Sequence, residues 1–297
     1  MNEVVNELKA VVHKLLSEGA VDVVIGYEDA TIPQKTRPAF FRDAGALEKL
    51  VWNSYCSNNL AVYLPRMFRK PLHARNWTLP KVAVVAKGCD GRSVVGLLKE
   101  KQIPRENLVI IGMPCQGMMD GNELHRACME CAYPFPEVVD ILVGGSAREK
   151  AEKRREQLVA FEAKSPEERW RYFTDEISKC IRCYACRQAC PNCYCESCFA
   201  DQTKPRWLGR GNDISDIIAY HIGRIFHQAG RCVECDACVQ ACPMGIDLRV
   251  FTQKLPALVE QLYGYIPGIS EEDPPSLCTF NEADSQEFIT EPQNDGR

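Results

Sequence analysis

Several large classes of protein are excluded by what this sequence lacks. It has no apolar run near the roughly 18–20 residues that cross a bilayer, so no transmembrane segment is expected. Its 36 basic and 40 acidic side chains give a formal net charge of −4, so no basic field favours a nucleic-acid partner. A nucleophile elbow, a Walker loop and an H-E-x-x-H pattern are all missing, and we therefore predict no catalytic residue.

Cysteine, by contrast, is abundant. The chain has 17 cysteines among 297 residues, an odd number in a chain too long to be a small disulfide scaffold. Its start, "MNEVVNELKAVVHKLL", is expected to form an amphipathic helix rather than a signal peptide. Thiols in such a protein are more often metal ligands than disulfide halves. We therefore expect a cytoplasmic, metal-binding protein.

Two segments repeat one cysteine pattern. They are "CIRCYACRQACP" (180–191) and "CVECDACVQACP" (232–243), and both read C-x2-C-x2-C-x3-C-P. This is the ligand pattern of a 4Fe–4S cluster, in which the fourth cysteine typically reaches the partner cluster. Zinc also takes four thiolates, but its sites usually pair two C-x2-C units over a spacer. The predicted ligands are Cys180, Cys183, Cys186 and Cys242 for cluster 1, and Cys232, Cys235, Cys238 and Cys190 for cluster 2.

The link between the two motifs indicates the kind of domain that carries them. It contains 41 residues between Cys190 and Cys232, whereas compact ferredoxins join their motifs by a short hairpin. Within it, residues 212–230 have the apolar stripe of a helix that ends at Gly230. Residues 165–255 therefore resemble the α-helical ferredoxins of heterodisulfide-reductase-type and succinate-dehydrogenase-type iron–sulfur subunits.

The rest of the chain alternates between helical and extended patterns. Helices are predicted near 4–16 and 92–102, and strands at 21–27, 81–88, 107–112 and 137–145. The mostly apolar strands indicate a sheet buried on both faces. The sequence thus predicts an α/β N-terminal domain (1–145), a charged helical connector (146–164), an α-helical ferredoxin domain with two 4Fe–4S clusters (165–255) and an acidic, proline-containing C-terminal tail (256–297).

Four further cysteines fall within the α/β half. Cys89 and Cys115 each follow a predicted strand, and Cys128 and Cys131 form "CMEC". These thiols could meet at one edge of the sheet, where open α/β sheets place their sites. The segments "GMPCQ" (112–116) and 128–145 resemble the iron–sulfur β subunits of coenzyme F420-reducing hydrogenases and formate dehydrogenases. That resemblance implies a third 4Fe–4S cluster on Cys89, Cys115, Cys128 and Cys131; a zinc site and buried unligated thiols are the alternatives.

The same family also binds FAD. In this sequence no G-x-G-x-x-G follows a strand, so the resemblance assigns no flavin-binding residue here. The turn "KGCDGRS" (87–93) could cradle a phosphate instead of supplying a cluster ligand. Flavin binding at this turn is therefore the alternative to a role of Cys89 as a cluster ligand.

Five cysteines remain. Cys193, Cys195 and Cys198 follow the first motif as C-x-C-x2-C, while Cys56 and Cys278 stand alone. The three close thiols could bind a further metal with one distant cysteine, could substitute for Cys190, or could pack around the clusters and tune them. Two histidines of the linking helix, His221 and His227, are predicted to serve helix packing rather than ligation.

These features predict an electron-transfer subunit. Three clusters would relay single electrons between partner subunits of a larger complex, which could be heterodisulfide-reductase-like, a hydrogenase or a formate dehydrogenase, with a flavoprotein among the partners. One alternative is a flavin-containing catalytic β subunit that oxidises or reduces F420, NAD(P)H or another soluble carrier. Another is a cluster-bearing structural or sensor subunit.

Overall fold

The computed structural model describes residues 2–276, so the lone Cys278 and the second half of the predicted acidic tail lie outside the described residues. Seven strands occur in this range. They are β1 (Val23–Asp29), β2 (Thr36–Phe41), β3 (Val82–Ala86), β4 (Leu108–Gly112), β5 (Met119–Asp120), β6 (Glu123–Leu124) and β7 (Ile141–Leu142). The helices are α1 (Asn2–Ser17), α2 (Leu64–Met67), α3 (Gly88–Lys99), α4 (Arg126–Met129), α5 (Glu156–Glu162), α6 (Pro166–Ser178), α7 (Ala185–Gln188), α8 (Ile214–Phe226), α9 (Ala237–Gln240) and α10 (Arg249–Tyr263).

A five-stranded sheet organises the first half, in the order β2-β1-β3-β4-β7. Strands β1, β3, β4 and β7 run parallel, and β2 pairs antiparallel with β1 at the edge. Every residue of β3 is fully buried, as expected for a central parallel strand covered on both faces. The predicted α/β character of this half is confirmed.

Two strands differ from the sequence-based prediction. Strand β2 was not predicted; it contains Pro38, which an edge strand tolerates because its outer N–H groups are unpaired. The strand predicted over 137–145 is reduced to β7. Just before β7, the Asp140 carboxylate accepts a hydrogen bond from the Ile110 N–H of β4 at 2.7 Å. A side chain therefore occupies a backbone donor that a longer β4–β7 pairing would use.

The second half is helical. Helix α6 begins with the predicted capping box, in which Ser165 and Glu168 bond each other's backbone N–H groups. Helix α8 begins after the N-cap Asp213 and buries Ile217 and Tyr220. Of the predicted helical connector, only α5 is helical; residues 146–155 are not. The described chain therefore has an α/β sheet part followed by a helical part.

Charged contacts join these two parts. Arg92 of α3 is 4 % exposed and donates to the carbonyls of Val233 and Pro267. Arg249 of α10 pairs with Glu130 at 2.8 Å. These contacts bring the second cysteine motif against the sheet part. No helix in residues 2–276 is long and apolar enough to cross a bilayer.

Candidate metal centres

The two cysteine motifs adopt the same local backbone. Arg182 and Tyr184 in the first, and Glu234 and Asp236 in the second, have φ between 53° and 59°. This left-handed conformation is unusual for residues other than glycine and persists where the surroundings enforce it. Each motif then enters a one-turn helix, α7 or α9, at its third cysteine. The repeated strained turns form two matching loops lined by thiols.

Backbone N–H groups point at the first sulfur of each loop. The Arg182 N–H donates to Cys180 Sγ at 3.3 Å, and the Glu234 N–H donates to Cys232 Sγ at 3.4 Å. Such bonds stabilise a thiolate, which is the form that ligates metal. The loops therefore provide the donor atoms and the hydrogen bonds that a thiolate-bound cluster needs.

The fourth cysteine of each motif influences thiols of the other loop. Burial raises the pKa of Cys180, and the nearby Cys186, Cys183 and Cys242 raise it further. Burial likewise raises the pKa of Cys235 to about 12, with Cys190 as the main charge nearby. These neighbours support the crossed ligand sets, which stay a prediction from the two motifs.

A buried cation lies between the two loops. Arg224 of α8 is 3 % exposed and donates one bond, through Nη2, to the carbonyl of Cys186 at 3.0 Å. Its Nε and Nη1 have no hydrogen-bond partner in the described part of the chain. Burial would lower its pKa, but Cys238, Cys190, Cys193 and Cys186 raise the pKa well above its ordinary value. An unpartnered guanidinium among thiols fits an anionic group bound there.

The third thiol group lies at the predicted edge of the sheet. Strands β3 and β4 pair in parallel with Ala86 opposite Gly112, and Cys89 and Cys115 each follow three residues beyond these ends. Both line a cavity of about 70 Å³ together with Cys128 and Cys131. We call it the third cavity, because it is the site predicted for the third cluster. All four thiols implied by the family resemblance therefore face one cavity.

Hydrogen bonds to sulfur recur in this cavity. Cys115 Sγ accepts from the Gly117 N–H and Cys128 Sγ from the Met118 N–H, both at 3.3 Å. Burial raises the pKa of Cys115 to about 11. Without a bound cation these thiols stay protonated near neutral pH, so metal binding must displace protons.

A buried lysine supplies positive charge beside the same thiols. Lys87 is 1 % exposed, and its Nζ lies 2.7 Å from Asp90 and 2.5 Å from the Tyr27 hydroxyl. Burial would lower the pKa of Lys87, but Asp90 and Tyr27 hold it well above its ordinary value. The charged lysine lowers the pKa of Cys115 and Cys128, and so favours their thiolate forms.

The glycines of "KGCDGRS" are explained by packing. A Cβ on Gly88 would lie 1.8 Å from the Tyr133 carbonyl oxygen, and one on Gly91 would lie 2.5 Å from Pro136 Cβ. Only glycine permits this close approach of the segment after "CMEC". The glycines therefore give no support to a phosphate cradle, and the turn instead brings Cys89 to the cavity that Cys115, Cys128 and Cys131 also line.

The third cavity adjoins the second loop. Val233, Glu234 and Cys235 line it alongside the four thiols of the sheet part. Glu234 is ion-paired with Lys153 and Arg155, which neutralises its charge at this junction. The α/β and helical parts thus meet at a surface bounded by thiols from both.

The surplus thiols are also brought together. Cys193, Cys195 and Cys198 line a cavity of about 210 Å³ that Cys190 also borders. The hydrogen bond with Cys193 lowers the pKa of Cys190 to about 6. Cys56, by contrast, is buried in the core of the sheet part, where its sulfur accepts from the Asn53 N–H at 3.4 Å.

The four thiols of the sheet part line one cavity, and the three surplus thiols line another. Within residues 2–276, no three His, Cys, Asp or Glu side chains are arranged to hold a single metal ion. Thiols set around a cavity suit a cluster, in which each sulfur binds a different iron, better than one zinc ion. The donor set and its surroundings therefore fit 4Fe–4S clusters.

His221 lies in α8, and His227 follows the end of this helix. His227 is exposed and meets Phe199 edge to face at 5.2 Å. His221 is 1 % exposed, and burial lowers its pKa to about 4. A neutral imidazole inside a helical core matches the packing role predicted for His221.

Fold and site together define a cysteine-rich α/β protein with a helical second part. No protein-family model matches the chain. It is 22 % identical over 354 residues to the F420-dependent formate dehydrogenase subunit beta of Methanocaldococcus jannaschii, covering 88 % of this chain and 91 % of that protein. It is 23 % identical over 360 residues to the F420-dependent formate dehydrogenase 1 subunit beta of Methanococcus maripaludis, covering 89 % and 90 %.

The chain is therefore homologous to F420-dependent formate dehydrogenase beta subunits, and the resemblance predicted from its motifs is confirmed. A xenon-derivatised structure of the F420-reducing NiFe hydrogenase complex from Methanosarcina barkeri is also similar, with 17 % identity and a TM-score of 0.32. That similarity covers 40 % of this chain and 42 % of the other, too little to define a shared fold.

Proposed function

We propose that this chain is an iron–sulfur electron-transfer subunit of a larger redox complex. Its twelve predicted ligands would hold three 4Fe–4S clusters, which supply the redox chemistry. The protein places the clusters and sets their potentials through thiolate ligation, N–H bonds to sulfur and buried cations. Homology to formate dehydrogenase beta subunits favours a formate dehydrogenase or a related assembly as the complex.

One observation carries this proposal: the three thiol groups lie side by side. Cys235 of the second loop borders the third cavity, and the predicted ligand sets would exchange Cys190 and Cys242 between the two loops. Adjacent clusters would form a continuous path from the sheet part through the helical part. A donor docked at one end and an acceptor at the other would complete it.

Iron analysis and an optical spectrum of anaerobically purified protein test the proposal. We expect at least about twelve iron atoms per chain and a broad absorption band that bleaches on reduction. About eight iron atoms would remove the third cluster from the proposal. Resolved flavin absorbance with releasable FAD would favour the catalytic alternative, and iron-free folded protein would refute the proposal.

A further inference from the structure

One group of thiols is not used by the three proposed clusters. Cys193, Cys195 and Cys198 are spread over six residues, yet all three line the same cavity of about 210 Å³. The intervening Tyr194 and Glu196 line it as well, so this short loop forms one wall of the cavity. The third cavity, which is also lined by thiols and a buried arginine, has the same design.

The wall of this cavity carries charges of both signs. Besides the thiols it is lined by Arg66, Arg69, Arg187, Arg224 and Arg231, and by Glu196 and Asp201. Arg69, Arg187 and Arg231 are ion-paired with Glu196, Asp201 and Glu100. Arg224 is 3 % exposed, and its Nε and Nη1 have no partner among residues 2–276. A guanidinium this deeply buried needs an anion to offset its desolvation. A set of thiolates with inorganic sulfide is such an anion.

Polar side chains also hold the thiols in place. The Gln228 amide donates to Cys193 Sγ at 3.3 Å, and Arg187, which pairs with Asp201 at 2.8 Å, is charge-coupled to Cys198. Donors to sulfur are the contacts expected around a metal-bound thiolate. The Gln228 bond to Cys193 is a contact of this kind.

We propose that Cys193, Cys195 and Cys198 ligate a fourth iron–sulfur cluster in this cavity. Thiols spread around a cavity suit a polynuclear group, in which each sulfur binds a different iron, better than a single zinc ion. Cys190 borders the same cavity, but its motif assigns it to the second cluster. The proposal rests on the iron–sulfur loading proposed above.

A fourth cluster here would extend the row of clusters to the protein surface. Cys195 is exposed, while Cys193 lies against Cys190 of the second cluster.

The test compares anaerobically reconstituted wild-type full chain with the double variant Cys195→Ser/Cys198→Ser. We expect iron to fall from about sixteen to about twelve atoms per chain, with the paramagnetic signals of the other clusters retained. Cys56→Ser serves as the matched control, because this thiol lies in the sheet core away from every cavity, and it should keep full iron.

Three results would overturn the fourth cluster. One is wild-type protein with only about twelve iron atoms, and another is a double variant with unchanged iron. The third is stoichiometric zinc in the wild type that the double variant loses. Each leaves the three-cluster function standing, whereas an iron-free wild type would refute that function itself. Should the double variant fold poorly, Cys195→Ala alone, at an exposed position, gives the same readout.

Discussion

Burial keeps several of the predicted thiol ligands neutral until a metal binds. Burial raises the pKa of Cys115 to about 11 and that of Cys238 to about 12, so these thiols remain neutral when no metal is bound. Backbone N–H groups and the buried cations Lys87 and Arg224 then stabilise the thiolates once iron replaces the protons. The site is therefore built for its metal-bound state.

Replacing Cys235 tests the ligand sets. This residue belongs to the second loop and also borders the third cavity. We predict that Cys235→Ser lowers iron by about four atoms per chain and destabilises the helical part, since cluster binding contributes to folding. Iron content and thermal unfolding measure both effects. Cys56→Ser is the control, and full iron content in Cys235→Ser would contradict the assignment.

Arg224 offers a test of how the protein sets potentials. Its guanidinium is charge-coupled to Cys186 of the first cluster and to Cys190 and Cys238 of the second. A nearby positive charge stabilises the reduced cluster, so Arg224→Gln should lower both reduction potentials, on the order of 50–100 mV. Redox titration followed by paramagnetic resonance measures the shift.

Arg224→Lys is the matched variant, because it keeps the positive charge and changes only the hydrogen-bonding geometry. We expect its potentials to stay closer to the wild type than those of Arg224→Gln. Equal shifts in both variants would show that packing around α8, rather than charge, controls the potentials.

At the scale of elements, local patterns predicted the elements that have strong periodicity. Helices α1 and α8 and the apolar strands β1, β3 and β4 follow directly from the spacing of their residues. Strand β2 was missed because it contains Pro38, and the strand around β7 is short because the Asp140 side chain takes a backbone donor. Both departures are set by tertiary neighbours, which a local pattern does not contain.

The candidate sites likewise combine local features, which the sequence predicts, with tertiary contacts, which it does not. Cysteine spacing was enough to group the thiols, because ligand spacing is a local property of a loop. The buried cations were missed, since their role depends on packing between distant segments. One signal was present in the sequence: Arg224 lies one turn beyond Tyr220 and two beyond Ile217, on the apolar face of α8. A charge on such a face indicates a buried counter-charge.

The tight turn before α3 gives a prediction for an element. A Cβ at Gly88 would lie 1.8 Å from the Tyr133 carbonyl oxygen, so Gly88→Ala must push the 132–136 segment away from the turn. We predict loss of the third cluster, about four iron atoms, and destabilisation of about 1–3 kcal/mol. Gly145→Ala is the control, as its Cβ meets no atom within 4 Å. Retained iron in Gly88→Ala would contradict the third site.

On the scale of the whole molecule, the thiol groups lie where the two parts meet. Arg92 and Arg249 reach across from one part to the other, and the third cavity is lined by residues of both. Interfaces between domains within a chain are commonly polar and mobile. Clusters bound at this junction would fix the relative positions of the two parts.

Removal of iron tests that arrangement. We predict that anaerobic chelation leaves the sheet core of β1, β3 and β4 protected from hydrogen exchange, because its buried apolar strands need no metal. The loops around α7 and α9 should lose protection, because their strained backbone is held by the bound clusters. Exchange measured by mass spectrometry before and after chelation separates these regions. Unchanged protection in both loops would mean that the chain alone holds them, and that the clusters contribute nothing to its stability.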